Sequence, residues 1–134
     1  MKNFDLLKKK LEKIKLPQWK YAIFWSWPIT IRGIRDCKDL DVIVKDDIYK
    51  KLCKQYPNNI KKKPVNRIQI ENIEIGNMWI DDKSKITEMI DTAEIIEWLP
   101  FVRIEYFKEW KKKMWREKDK KDLELLNEYE KNVV

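Results

Sequence analysis

The run Leu40-Asp41-Val42-Ile43-Val44, with Asp39 just before it, constrains this chain more than any other stretch. Three of its five residues are β-branched, which suits extended backbone and disfavours helix, so a buried strand is expected over 40–44. Alternate side chains of a strand share a face, so Asp39 and Asp41 project together. Two like charges that close repel, and a bound cation is a common remedy. Oxygen-only ligands favour magnesium or manganese over zinc. Solvated loop acids are the plainer explanation of an isolated Asp-x-Asp pair, so the rest of the chain has to decide.

Phe4, Leu7, Leu11 and Ile14 repeat at helical spacing with lysines between them, which predicts an amphipathic helix over 3–15, ended by Leu16-Pro17. Tyr21 to Phe24 is a short apolar run and reads as a second buried strand. Ser26 before Trp27-Pro28 has the form of a helix start, with serine as N-cap and proline in the first turn, and Gly33 ends that short helix. Asp46 is expected to cap a helix from about 47 to 56, with Pro57-Asn58-Asn59 as a turn. Segments 67–70 and 73–75, flanking Glu71-Asn72, alternate as a hairpin does. Helix is expected over 85–93, a short strand over 94–96, and two final helices over 104–114 and 117–129. The order is α-β-α-β-α-β-β-α-β-α-α, an α/β (α+β) mixed sheet with flanking helices. We read a core over about 18–97 and a C-terminal helical pair over about 104–130.

A length of 134 residues suits one domain over 1–134 with one core. Its net charge of +7 favours polyanionic partners such as nucleotides, nucleic acid or anionic lipid. The lysine runs at 8–10, 61–63 and 111–113 read as solvated faces. With no histidine, Ser-His-Asp and Cys-His catalysis, histidine bases and the usual zinc sites are excluded. Cys37 and Cys53 lack the close pairing of metal or redox motifs, and two scattered thiols suit a reducing cytoplasm. The first residues carry no signal-peptide pattern, and the most apolar stretch, 21–31, is too short to span a bilayer. A soluble, cytoplasmic protein without membrane partners is expected.

Two features raise the odds for the acidic pair. The strand at 21–24 runs into Ser26 and a helix N-terminus, where free backbone N–H groups and the positive dipole end attract phosphate. Glu74 sits between Ile73 and Ile75; if the isoleucines face the core, Glu74 faces outward and, on an adjacent strand, stands over the aspartates. Together, Ala22-Ile23-Phe24-Trp25-Ser26-Trp27-Pro28, Arg32-Gly33-Ile34-Arg35-Asp36 and Asp39-Leu40-Asp41-Val42-Ile43-Val44 resemble the small, single-domain (minimal) members of the DNA polymerase beta-like nucleotidyltransferase superfamily. Segments 94–96, 99–102 and 116–119 with Asp122 look similar too, and the resemblance covers roughly 18–130.

What the resemblance implies is transfer of a nucleoside monophosphate from a nucleoside triphosphate such as ATP to an acceptor hydroxyl, assisted by Mg2+ or Mn2+. Asp39 and Asp41 would hold two such ions; Glu74 would bind the one nearer the acceptor and take the acceptor's proton. Ser26, with the backbone at Trp25 and Trp27, would grip the distal phosphates. Arg32 and Arg35 suit bidentate phosphate clamping, or equally an ion pair with Asp36 or Glu117. Arg116, Lys118, Asp119 and Asp122 read as a structural ion-pair cluster. The acceptor is unspecified: a small molecule, a protein or an RNA end, with a homodimer mate or a protein partner supplying the missing acceptor module. An antitoxin of the toxin-antitoxin type is one form this takes in minimal members. The alternative is a catalytically silent basic module that binds nucleic acid or a protein partner.

The phosphate loop departs from the family pattern, which wants glycine where Trp25 stands and often at Trp27, because backbone must approach phosphate closely there. As written, weak or no triphosphate binding is expected. The chain has seven tryptophans and two glycines, where about 7% glycine is ordinary. Trp19, Trp98 and Trp115 also fall in turn-like or helix-ending places suited to glycine, whereas Trp110 lies inside a helix. Some genetic codes read UGA as glycine and others as tryptophan. Misread glycines at 19, 25, 27, 98 and 115 are therefore one reading; a tryptophan-rich, inactive homologue is the other.

Overall fold

The computed structural model describes residues 2–24, 30, 39–62, 66–77 and 84–132. Helix α1 (Lys2–Ile14) buries Leu7, Leu11 and Ile14, spaced four and three apart so that they form one stripe. Strands β1 (Tyr21–Phe24) and β2 (Leu40–Val44) match the two apolar runs residue for residue. Helix α2 (Asp46–Gln55) buries Ile48, Tyr49 and Leu52. Its first turn carries Asp46 and Asp47, which suit the positive end of the helix dipole. Asp46 is not the cap, contrary to expectation: Lys45 holds that position without a side-chain cap bond, and the Asp46 carboxylate accepts from Asn77 Nδ2 at 2.7 Å.

A short 3-10 turn (Pro57–Asn59) leads to β3 (Ile60–Lys61), then the hairpin of β4 (Arg67–Ile70) and β5 (Ile73–Gly76). Helix α3 (Ser84–Asp91), strands β6 (Glu94–Ile96) and β7 (Leu99–Phe101), and helices α4 (Ile104–Met114) and α5 (Glu117–Asn132) complete the described chain. Neither β3 nor β7 was expected. β3 is too short to show a period, and Pro100 argues against a strand because it lacks a ladder donor. The pairing of β7 with β1 is brief enough to tolerate it: Ile23 faces Phe101, and the Val102 N–H donates to the Ile23 carbonyl at 2.9 Å.

The seven strands form one mixed sheet in the order β3-β4-β5-β2-β1-β7-β6. β2 runs antiparallel to β1 and parallel to β5. On one face α1 and α2 pack over Ile23, Leu40, Val42, Val44, Ile73 and Ile75. On the other, Ile86, Met89 and Ile90 of α3 cover Ala22, Phe24 and Ile43. Burial of this kind contributes about 25 cal/mol per Å2 of apolar surface. None of the described helices is long and apolar enough to cross a membrane.

The C-terminal pair is held by Phe107 and Leu126 and by a buried ionic cluster. Lys111 Nζ lies 2.9 Å from Asp119 Oδ1 and 2.8 Å from Asp122 Oδ2, while Arg116 Nε lies 2.7 Å from Asp119 Oδ2. The Arg116 backbone N–H donates to the same Oδ2 at 2.8 Å, so Asp119 also caps α5 from its third helical position. Lys111 is 1% exposed, which corrects the expectation of a wholly solvated run at 111–113. Helical spacing turns one residue of any such run inward, and here it meets two acids and the Trp110 ring, 4.2 Å from Nζ. The ion pairs of this cluster join Lys111, Arg116, Asp119 and Asp122, with Lys111 in the place expected of Lys118.

Candidate metal centre

Residues Leu40, Val42 and Val44 of β2 point into the α1/α2 core, so Asp41 and Ile43 point to the α3 side. Strand β5 behaves likewise. Ile73 and Ile75 enter the first core and place Glu74 on the α3 side. β2 and β5 pair in parallel with Asp41 opposite Glu74, and the same row continues to Phe24 in β1 and Gln69 in β4. Adjacent strands lie about 4.8 Å apart, so the Asp41 and Glu74 side chains are immediate neighbours. Asp39, one pleat before Asp41, is exposed at the entrance of the strand. Its backbone neighbour is fixed by the Leu40 N–H, which donates to the Asn72 carbonyl at 2.8 Å.

The electrostatics follow from this geometry. Burial pushes the Asp41 carboxyl up to about 8, and the negative charges of Glu74 and Asp39 push the same way. Among described residues no hydrogen bond offsets them. Glu74 is treated differently: Arg67 Nε lies 2.8 Å from its Oε1. Arg67 stands opposite Gly76 in the β4–β5 register and reaches diagonally to Glu74. Sequence reasoning missed it, because a diagonal pair becomes visible only once the hairpin register is known.

A hard divalent cation matches the donor chemistry: three carboxylates, two on one pleated row and a third on its edge, with no sulfur or imidazole. Among the described residues no three acidic or thiol side chains are gathered tightly enough to form a coordination shell as they stand. Ligation therefore requires rotamer changes at Asp39 and Glu74, the latter against its Arg67 contact. The structure thus brings Asp41 and Glu74 to one sheet face, with the charge of Asp39 close enough to act on Asp41.

The phosphate-loop residues Trp25, Ser26 and Trp27 lie outside the described residues, as do Arg32 and Arg35. What is described bears on where that loop starts: β1 ends at Phe24, directly opposite Asp41. Phe24 is fully buried with its ring 6.2 Å from that of Trp110, so the exit of β1 is anchored beside the acids. Thr30 is helical and buried. Comparison with protein-family models, with curated proteins and with solved structures gives no match for this chain.

Proposed function

We propose that the chain is a minimal nucleotidyltransferase, transferring a nucleoside monophosphate from a nucleoside triphosphate to an acceptor hydroxyl. The observation that carries this reading is the in-register pairing of Asp41 with Glu74 on one sheet face, one pleat from Asp39. The end of β1 opposite Asp41, with Trp25-Ser26-Trp27 next in the sequence, supports it further.

Asp39, Asp41 and Glu74 would hold Mg2+ or Mn2+, which neutralises triphosphate charge and makes the acceptor hydroxyl more acidic. Asp41 has the strongest need for such a partner, since its carboxylate is half-buried and flanked by two negative charges. Glu74, the row neighbour, accepts the acceptor's proton. Arg67 neutralises the Glu74 carboxylate beside Asp41 and would have to yield it to the ion. Ser26, Arg32 and Arg35 bind the phosphates as the new phosphodiester bond to the acceptor oxygen forms and pyrophosphate leaves. The two scattered thiols, Cys37 and Cys53, suit a reducing cytoplasm as its setting.

Incubation with Mg2+, triphosphates labelled at the α-phosphate and candidate acceptors tests this. Label transfer that disappears in Asp41→Asn is the expected result. Salt-sensitive RNA or DNA binding that is indifferent to Asp41→Asn, without transfer, would instead identify a silent basic module.

A further inference from the structure

Of the four described tryptophans, Trp19, Trp98 and Trp115 have positive φ: 70°, 70° and 47°. An L-residue with a bulky side chain is a genuine outlier there, because Cβ crowds the backbone. Lys15, Glu71 and Glu97 also take positive φ, so the sign alone marks nothing. The turn positions do.

Trp19 is the third residue of a turn closed by the Lys20 N–H donating to the Pro17 carbonyl at 3.2 Å. Positive φ at that position is the type II arrangement, which requires glycine or asparagine there. Trp98 is the second residue of the two-residue connection between β6 and β7, whose flanking pair is Ile96 and Leu99. Glu97 and Trp98 both have positive φ, the type I′ hairpin turn, whose second position is dominated by glycine. Trp115 ends α4 in the left-handed conformation, its N–H donating to the Lys111 carbonyl at 2.9 Å, as the glycine that terminates helices does.

The indoles find no core to justify this strain. Trp19, Trp98 and Trp115 are 58%, 89% and 56% exposed. The contact closest to a role is Lys120 Nζ, 5.2 Å from the Trp115 ring, and cation–π contacts at exposed sites are weak. Trp110 is the contrast: it lies within α4, packs against Phe24 and Phe107, and receives Lys111 on its ring face. Gly76 is the opposite contrast, a written glycine in a strand where an added Cβ would touch nothing.

We propose that residues 19, 98 and 115 are glycine in the protein its own cells make, the written tryptophans being one codon, UGA, read by the wrong genetic code. Three different glycine-specific backbone sites hold the same bulky residue, and a single codon rule explains all three. The inference does not depend on the chain being a transferase. The same codon at 25 and 27 would write Gly-Ser-Gly directly after β1 in the sequence, a consequence that bears on the proposed function alone.

Peptide mass spectrometry of the chain purified from its source cells tests this. Glycine at 19, 98 and 115 with tryptophan at 110 is expected; tryptophan at any of the three overturns the proposal. An independent arm uses the sequence as written, expressed recombinantly. Trp98→Gly and Trp115→Gly should each raise the folding equilibrium about 5- to 30-fold, from the left-handed penalty of an L-residue. Trp110→Gly should lower it. Unchanged or reduced stability in both of the first two variants would also overturn the account.

Discussion

Asp41→Asn should make the stability of this protein nearly independent of pH between about 5 and 9, and the direction of the effect follows from the sheet. Burial, and after it the negative charges of Glu74 and Asp39, raise the Asp41 carboxyl from 3.8 to about 8. A raised folded pKa means the folded state binds a proton that the unfolded chain has already released. Stability is therefore fully present below the unfolded pKa and is lost as pH rises through about 8. At about 1.4 kcal/mol per unit, the whole shift from 3.8 to about 8 would correspond to roughly 6 kcal/mol. Water reaching a partly exposed group and local relaxation reduce this, and about 2–3 kcal/mol is the expected size. Asparagine keeps the shape and cannot ionise, so the variant should match the parent near pH 4 and exceed it by that amount near pH 9. With no histidine in the chain, no imidazole titrates in this window. Urea denaturation followed by far-UV circular dichroism, at intervals of pH and with chelator present, provides the measurement. Parallel stability curves for the two proteins would refute the electrostatic picture of the site.

Lys111→Met should destabilise the fold by about 3–5 kcal/mol in denaturant titration, because it leaves Asp119 and Asp122 buried with one cation fewer; a loss under 1 kcal/mol would show that water solvates the cluster. Burial alone would raise the Asp119 carboxyl, but hydrogen bonds from Arg116 and Lys111 hold it well below the usual carboxylate range. Its stabilisation is therefore present above the ordinary carboxylate pKa and should be lost only in strong acid, a late acid transition that Asp119→Asn removes in a pH melt. Trp25→Gly with Trp27→Gly should tighten binding of a nucleoside triphosphate measured by calorimetry with Mg2+, and equal affinity before and after would count against the phosphate-loop reading.

Much of the fold was legible because its central strands are short, apolar and β-branched: 21–24 and 40–44 have nothing to be but buried strand. The isolated Glu74 between two isoleucines was legible for the same reason, since period two fixes which face it takes. What sequence could not reveal was adjacency. That β2 and β5 pair in parallel, with Asp41 opposite Glu74, depends on a crossover through α2 and the hairpin, and no local pattern encodes it. Arg67 escaped notice on the same ground, and Lys111 because a lysine run does not say which member turns inward. β7 was hidden by its proline. The turn tryptophans lay at the other extreme. Proline before Trp19, the short β6–β7 connection and the break between two helices marked glycine-suited places before any dihedral angle was known.

The central claim is that Asp39, Asp41 and Glu74 share one divalent cation, and Mn2+ titration followed by water-proton relaxation tests it most directly. We expect saturable binding by the parent chain, weakened at least about tenfold (~1.4 kcal/mol) in both Asp41→Asn and Glu74→Gln, each of which removes a charged oxygen ligand. Undiminished Mn2+ binding in Asp41→Asn, or no binding by the parent chain, would contradict it.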